Sequence, residues 1–160
     1  MTGSGIRRPS AKVRLASEAD LPRVVELLAQ LSPDDPDRED TSSPLPYGYH
    51  LMFREMGQGR QQLLVAELRK KIVGTLVLII VPNLSHKGTP FAIIENVVVD
   101  QRHRGKGIGE ALITRAIKEA RGAGCYKVSL TSNKFRKEAH RFYERLGFGR
   151  THEAFRINFE

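Results

Sequence analysis

Apolar positions recur along this chain in two periods, and the switches between the periods divide it into elements. Leu21, Val24, Val25, Leu27, Leu28 and Leu31 lie three and four residues apart, the stripe of a helix predicted over 18–31. Ser17, Asp20 and Pro22 supply its start: a capping hydroxyl, an acid in the first turn, and a proline where no N–H is needed. A short strand over 12–16 precedes it. Residues 32–46 carry Pro33, Pro36, Pro44 and Pro46 among the acids Asp34, Asp35, Asp37, Glu39 and Asp40, so a loop is predicted there. A second helix is predicted over 47–56, closed by Gly57 and Gly59.

Runs of β-branched and aliphatic residues then predict strands over 62–68, 72–81 and 91–99, the first two joined at Arg69-Lys70 in a hairpin. Helical spacing returns at Ile108, Ala111, Leu112, Ala116 and Ala120, widened by Ile113 and Ile117 and ended by Gly122 and Gly124. A strand over 126–131 and a helix over 137–146 follow. The alternation in 149–159 reads as a final strand. With no internal repeat, this order predicts one α/β domain over 12–160 behind a flexible tail, 1–11.

Composition changes the picture little. The 160 residues carry a formal charge of +8, but Lys and Arg occur in scattered short groups without aromatic interleaving, which disfavours nucleic acid as a partner. The longest apolar run, 72–82, contains Gly74 and ends at Pro82, too short for a membrane span. No apolar stretch follows Arg7-Arg8, and the single cysteine, Cys125, cannot form an internal disulfide; a cytoplasmic protein is expected. The histidines His50, His86, His103, His140 and His152 lack ligand spacing, so no metal is expected.

The chemistry enters at Gln101-Arg102-His103-Arg104-Gly105-Lys106-Gly107-Ile108-Gly109, between a predicted strand and a predicted helix. Glycines bare the backbone amides, the helix start adds unpaired donors and a positive dipole end, and three cations add charge; together they make a phosphate cradle. A Walker loop would need Lys and Ser/Thr after its second glycine, and a dinucleotide fingerprint would need glycine at Glu110; neither pattern is present.

Arg102-His103-Arg104-Gly105-Lys106-Gly107 instead resembles the (Gln/Arg)-x-x-Gly-x-(Gly/Ala) signature of the GCN5-related N-acetyltransferase family. Ile93 to Asp100 resembles the strand before that loop, and Ala139 to Phe148 resembles the family's late helix with its tyrosine. The resemblance implies a mixed, largely antiparallel sheet with helices on both faces, and acetyl-CoA as cosubstrate. It implies main-chain contacts to the pantetheine arm from Val97, Val98 and Val99. It also implies a diphosphate grip by Arg102, Arg104, Gly105, Lys106, Gly107, Ile108 and Gly109.

The same resemblance casts Tyr143 as the acid that protonates the leaving thiolate and Glu95 as the base for the incoming ammonium, with a structural carboxylate as the alternative for Glu95. Glu95 stands two residues before Val97, hence on the same face of a regular strand. Asn133 is carried as a contact to the CoA arm, with Arg136 as the alternative. The implied reaction is direct transfer of an acetyl group from acetyl-CoA to a primary amine of a small molecule, phosphate- or phosphonate-bearing acceptors suiting Arg136, Lys137, Arg150 or Arg156. Aminoglycoside and protein-lysine acceptors stay open, as does an inactive CoA-binding regulatory module. A homodimer through the last strands is compatible with the strand-like C-terminus.

Overall fold

The computed structural model describes residues 10–35 and 38–159. Most of the expected N-terminal tail, residues 1–9, lies outside them. Five strands form one sheet in the order β1 (Lys12–Leu15), β2 (Gln61–Leu68), β3 (Lys71–Val81), β4 (Phe91–Val99), β5 (Val128–Leu130). The first three junctions are antiparallel and the last is parallel. The helices of eight residues or more are α1 (Leu21–Leu28), α2 (Tyr47–Gln58), α3 (Ile108–Gly122) and α4 (Lys137–Arg145). No helix among the described residues is long and apolar enough to cross a membrane.

Both faces of the sheet are covered, which is why β2 and β3 read as unbroken apolar runs rather than as alternations. One face packs Leu64, Ala66, Val73, Leu76, Leu78 and Ile94 against Ile108, Leu112, Ile113, Ala116 and Ala120 of α3, with Phe142, Tyr143 and Leu146 of α4 alongside. The other packs Leu63, Val65, Ile72, Val77 and Val98 against Leu21, Val24 and Leu27 of α1, with Phe53 and Met56 of α2 beside them. Each fully buried Leu or Val contributes about 1.5–3 kcal/mol. Gly74 sits where β3 meets α3: a Cβ there would lie 3.0 Å from Leu112 and 3.2 Å from Ile108.

Four local expectations are corrected. The first helix opens with a 3-10 turn, Glu18–Asp20, and ends at Leu28 rather than at 31. The turn tightens because Asp20 accepts from the Ser17 amide at 2.7 Å and from Arg14 at 2.7 Å. The Arg14 hydrogen bond, acting against burial, holds the Asp20 carboxyl near a pKa of about 2.

The second correction concerns β4, which is not regular. Its register with β3 slips between Val77↔Glu95 and Thr75↔Val98, and Asn96 takes a left-handed φ of 54°. This bulge inserts one residue and resets the alternation. Ile94 belongs to the α3 face before it, whereas Val97 and Val99 do so after it and Val98 packs toward α1. Glu95, next to Ile94, therefore lies on the α1 and α2 side, opposite to Val97 and not on its face.

Third, β5 is shorter than the predicted 126–131. Its pairing with β4 ends at Ile94↔Leu130, two residues before the bulge at Asn96. Fourth, the predicted strand over 149–159 is absent: these residues form no ladder, and Phe155, Ile157 and Phe159 are 92%, 81% and 93% exposed. The alternation is real, but a strand requires a partner edge and a covered face, and the described residues of this chain offer that segment neither.

Candidate active site

Asp100 follows β4 and starts the loop. Its side chain accepts from the Arg102 amide at 2.9 Å, capping the 3-10 turn Gln101–His103, and its carbonyl accepts from His103 N at 2.7 Å. The chain then passes through Gly105 (φ 73°) and Gly107 (φ 80°), the residue preceding α3. A Cβ added at either glycine meets nothing within 4 Å, so the loop faces open room that a side chain would fill. The earliest helical hydrogen bond runs from Ala111 N to Gly107 O at 3.0 Å, leaving the amides of Ile108, Gly109 and Glu110 without an intrahelical partner. These donors and that room fit the diphosphate of an acyl carrier.

The other residues expected in the cradle divide by task. A Cβ on Gly109 would come within 3.1 Å of the Phe142 ring, so this glycine serves the close packing of α3 on α4 while its amide stays at the helix mouth. Arg104 folds back to donate from Nε to Val99 O at 3.1 Å, and Lys106 donates to Arg102 O at 3.3 Å. Both brace the loop while keeping their charge beside it. The Arg102 side chain is exposed and makes no hydrogen bond to the described residues.

Beyond Ile94, no strand among the described residues pairs with the β5 side of β4. Strand and bulge thus leave an open edge along Val97, Val98 and Val99, whose side chains are spent on the two cores. Pairing with an extended ligand there would come from main-chain groups.

Tyr143 lies on α4, its ring 5.2 Å from Phe142 and 5.9 Å from Phe148 between centroids. Phe142 and Tyr143 both pack against the α3-side core. The Tyr143 hydroxyl makes no hydrogen bond to the described residues. Burial pushes its pKa up, and the positive charge of Arg136 pulls the other way without cancelling the rise. The phenol thus holds its proton more firmly than an exposed tyrosine.

Glu95 is half-buried and makes no hydrogen bond or ion pair with the described residues, so its carboxylate lacks the structural partner weighed against a role as base. Asn133 uses its side-chain oxygen to accept from Phe135 N at 3.0 Å, and its carbonyl accepts from Arg136 N at 3.0 Å and His140 Nε2 at 2.8 Å. It therefore shapes the turn into α4, while Arg136 starts that helix close enough to act on Tyr143. Among the described residues no three of His, Cys, Asp and Glu gather as metal ligands.

Asp100 and the bulge at Asn96 both escaped the sequence reading. Each had a signal: an Asp directly before a tight turn, and an Asn, tolerant of left-handed backbone, inside an apolar strand.

Comparison with known proteins agrees with this geometry. The model of the Acetyltransferase (GNAT) family matches residues 24–148. A glucosamine 6-phosphate N-acetyltransferase of Trypanosoma brucei brucei is 34% identical, the match covering 89% of this chain and 90% of that protein. Glucosamine 6-phosphate N-acetyltransferase 1 of Oryza sativa subsp. japonica is 30% identical over 86% of this chain and 80% of its own. Among solved structures, a protein described as a transcriptional regulator from Bacillus halodurans C-125 superposes with a TM-score of 0.85 at 38% identity, covering 93% of this chain and 99% of that one. With a glycine-rich loop at the mouth of α3, a split between β4 and β5 and a tyrosine-bearing α4 joined in one fold, the chain belongs to the acetyltransferase (GNAT) family, whose members transfer an acetyl group from acetyl-CoA to an amine.

Proposed function

We propose that this enzyme acetylates the primary amine of a small, phosphate-bearing molecule, with glucosamine 6-phosphate the leading acceptor. The observation that supports the reading is the packing of α4 on the mouth of α3 through Phe142 and Gly109, with Tyr143 of the same helix packed against the α3-side core. Val97 to Val99 would hold the pantetheine arm along the open edge of β4, and the amides from Gly105 to Gly109, with Arg102, Arg104 and Lys106 around them, the diphosphate. Glu95, facing α1 and α2 across the bulge, takes a proton from the acceptor ammonium. The amine then attacks the thioester carbonyl, a C–N bond forms and the C–S bond breaks. Tyr143 gives its proton to the departing thiolate, and the second proton shed by the nitrogen as it becomes an amide restores the phenol.

Two features support a phosphorylated acceptor: the named relatives, and the cations Arg136, Lys137 and Arg156, which form no ion pair among the described residues, unlike Arg150, paired with Glu144 at 2.6 Å. The test is a panel of amines assayed with acetyl-CoA by thiol release: glucosamine 6-phosphate, glucosamine, aminoalkylphosphonates, aminoglycosides and lysine peptides. We expect glucosamine 6-phosphate to exceed glucosamine in kcat/KM by about a hundredfold, the scale of a lost charged contact. Equal rates for the two sugars would remove the phosphate from the reading. CoA binding with no thiol release from any amine would point to an inactive module.

The exposed period-two tail supports a homodimer in which each copy supplies the missing partner. Phe155 and Phe159 from two chains bring about 600–1,000 Å² of apolar surface, taking about 150–250 Å² for each ring, and with Ile157 added the sum comes to the roughly 1,000 Å² of a specific interface. Sedimentation should give a dimer for the full chain and a monomer after truncation at Arg150; a monomeric full chain refutes this assembly. A half-buried, unpaired Cys125 is compatible with the reducing cytoplasm.

A further inference from the structure

The root of the phosphate loop carries a charge of the wrong sign. Asp100 is 5% exposed, and its position is fixed by its amide, which donates to Val73 O at 2.8 Å, and by the Arg102 amide it accepts. Burial pulls its carboxyl upward, but the Arg102 amide and Arg23 outweigh that and leave it below its ordinary value, so it is an anion. The same carboxylate that shapes the loop would repel the diphosphate the loop is shaped for.

The compensation comes from another part of the chain. Arg23 reaches from α1, pairs through Nη2 with Asp100 Oδ2, donates from Nε to Ile72 O at 3.0 Å and from Nη1 to Glu26 at 2.8 Å. His103 Nδ1, 4.0 Å from the same Asp100 oxygen, stands beyond hydrogen-bond reach, so among the described residues Arg23 is the cation bonded to Asp100. A neighbouring link, Gln101 N to Gln30 Oε1 at 3.1 Å, ties the loop to the chain just past α1 as well. We propose that Arg23 is a positioning residue for acetyl-CoA: by neutralising Asp100 it lets a carboxylate-built loop accept a diphosphate. This rests on the reading of Gly105 to Gly109 as the diphosphate site.

The experiment compares wild type, Arg23→Gln, Asp100→Asn and the double variant against two donors, acetyl-CoA and S-acetylpantetheine, which lacks the diphosphate. Kd is measured by calorimetry, and KM and kcat by thiol release. For Arg23→Gln, the Kd of acetyl-CoA should rise about tenfold or more, while KM for S-acetylpantetheine and kcat change less than about twofold. Asp100→Asn keeps an oxygen to accept from the Arg102 amide and should bind within about threefold of wild type. The double variant, with neither charge, should recover most of the loss.

Equal losses with both donors, or no recovery in the double variant, would make Arg23 merely structural and overturn the proposal. If Arg23→Gln does not fold, Arg23→Lys and the double variant decide: a loss of about tenfold in either overturns it. A wild type that binds acetyl-CoA no better than S-acetylpantetheine would instead overturn the diphosphate reading, and the proposal with it.

Discussion

Replacing Tyr143 with phenylalanine lowers kcat by about a hundred- to ten-thousandfold, the usual weight of a positioned general acid, while leaving CoA affinity within about threefold. The substitution removes one oxygen and keeps the ring that packs against Phe142 and Phe148, so folding should hold. The hydroxyl has no partner among the described residues, so its loss strands no buried donor. The pH profile provides the second readout. Burial raises the Tyr143 pKa, and the acid must carry its proton to act. Activity is therefore retained through the ordinary tyrosine range and falls only as pH climbs through the raised value. That alkaline limb of kcat should vanish in the variant. Unchanged turnover would take Tyr143 out of the mechanism.

Gly107→Val should abolish measurable acetyl-CoA binding by calorimetry, a rise in Kd of about a hundredfold or more. Two costs coincide at this position. A β-branched residue at φ 80° is strained, by about 1–3 kcal/mol. Its side chain would also occupy the room in front of the helix-mouth amides, where no protein atom lies within 4 Å of the added carbon. Gly109→Ala gives the opposite pattern. Its methyl would press on the Phe142 ring at 3.1 Å, so Tm drops while the affinity of the folded fraction changes little. If Gly107→Val bound acetyl-CoA normally, the anion site would lie elsewhere.

Much of this architecture could be read from the chain because it rests on local rules. The stripe in α3 and the apolar runs of β2 and β3 report burial directly, and the glycines of the loop report positive φ at Gly105 and Gly107. What could not be read depends on events between distant residues. The bulge at Asn96 is decided by pairing with β3, and it alone moves Glu95 away from the face of Val97. Arg23 looks like an ordinary exposed helix residue until Asp100, seventy-seven positions later, meets it. Asn133 matched a ligand-binding position in pattern, yet its side-chain oxygen is occupied by the turn it builds. The alternation in Phe155, Ile157 and Phe159 was visible, but no sequence rule says whether a partner edge exists within the same chain.

One inserted residue at Asn96 makes a single strand serve two masters. Before it Glu95 lies on the side of the helices that would frame the acceptor, and after it the main chain lies open on the edge that would take the donor. Under the function proposed above, α1, α2 and the segment between them could change to suit another acceptor while the loop and open edge that would hold the donor stay as they are. That division of labour accounts for how one scaffold could take up new amines by swapping its front wall alone.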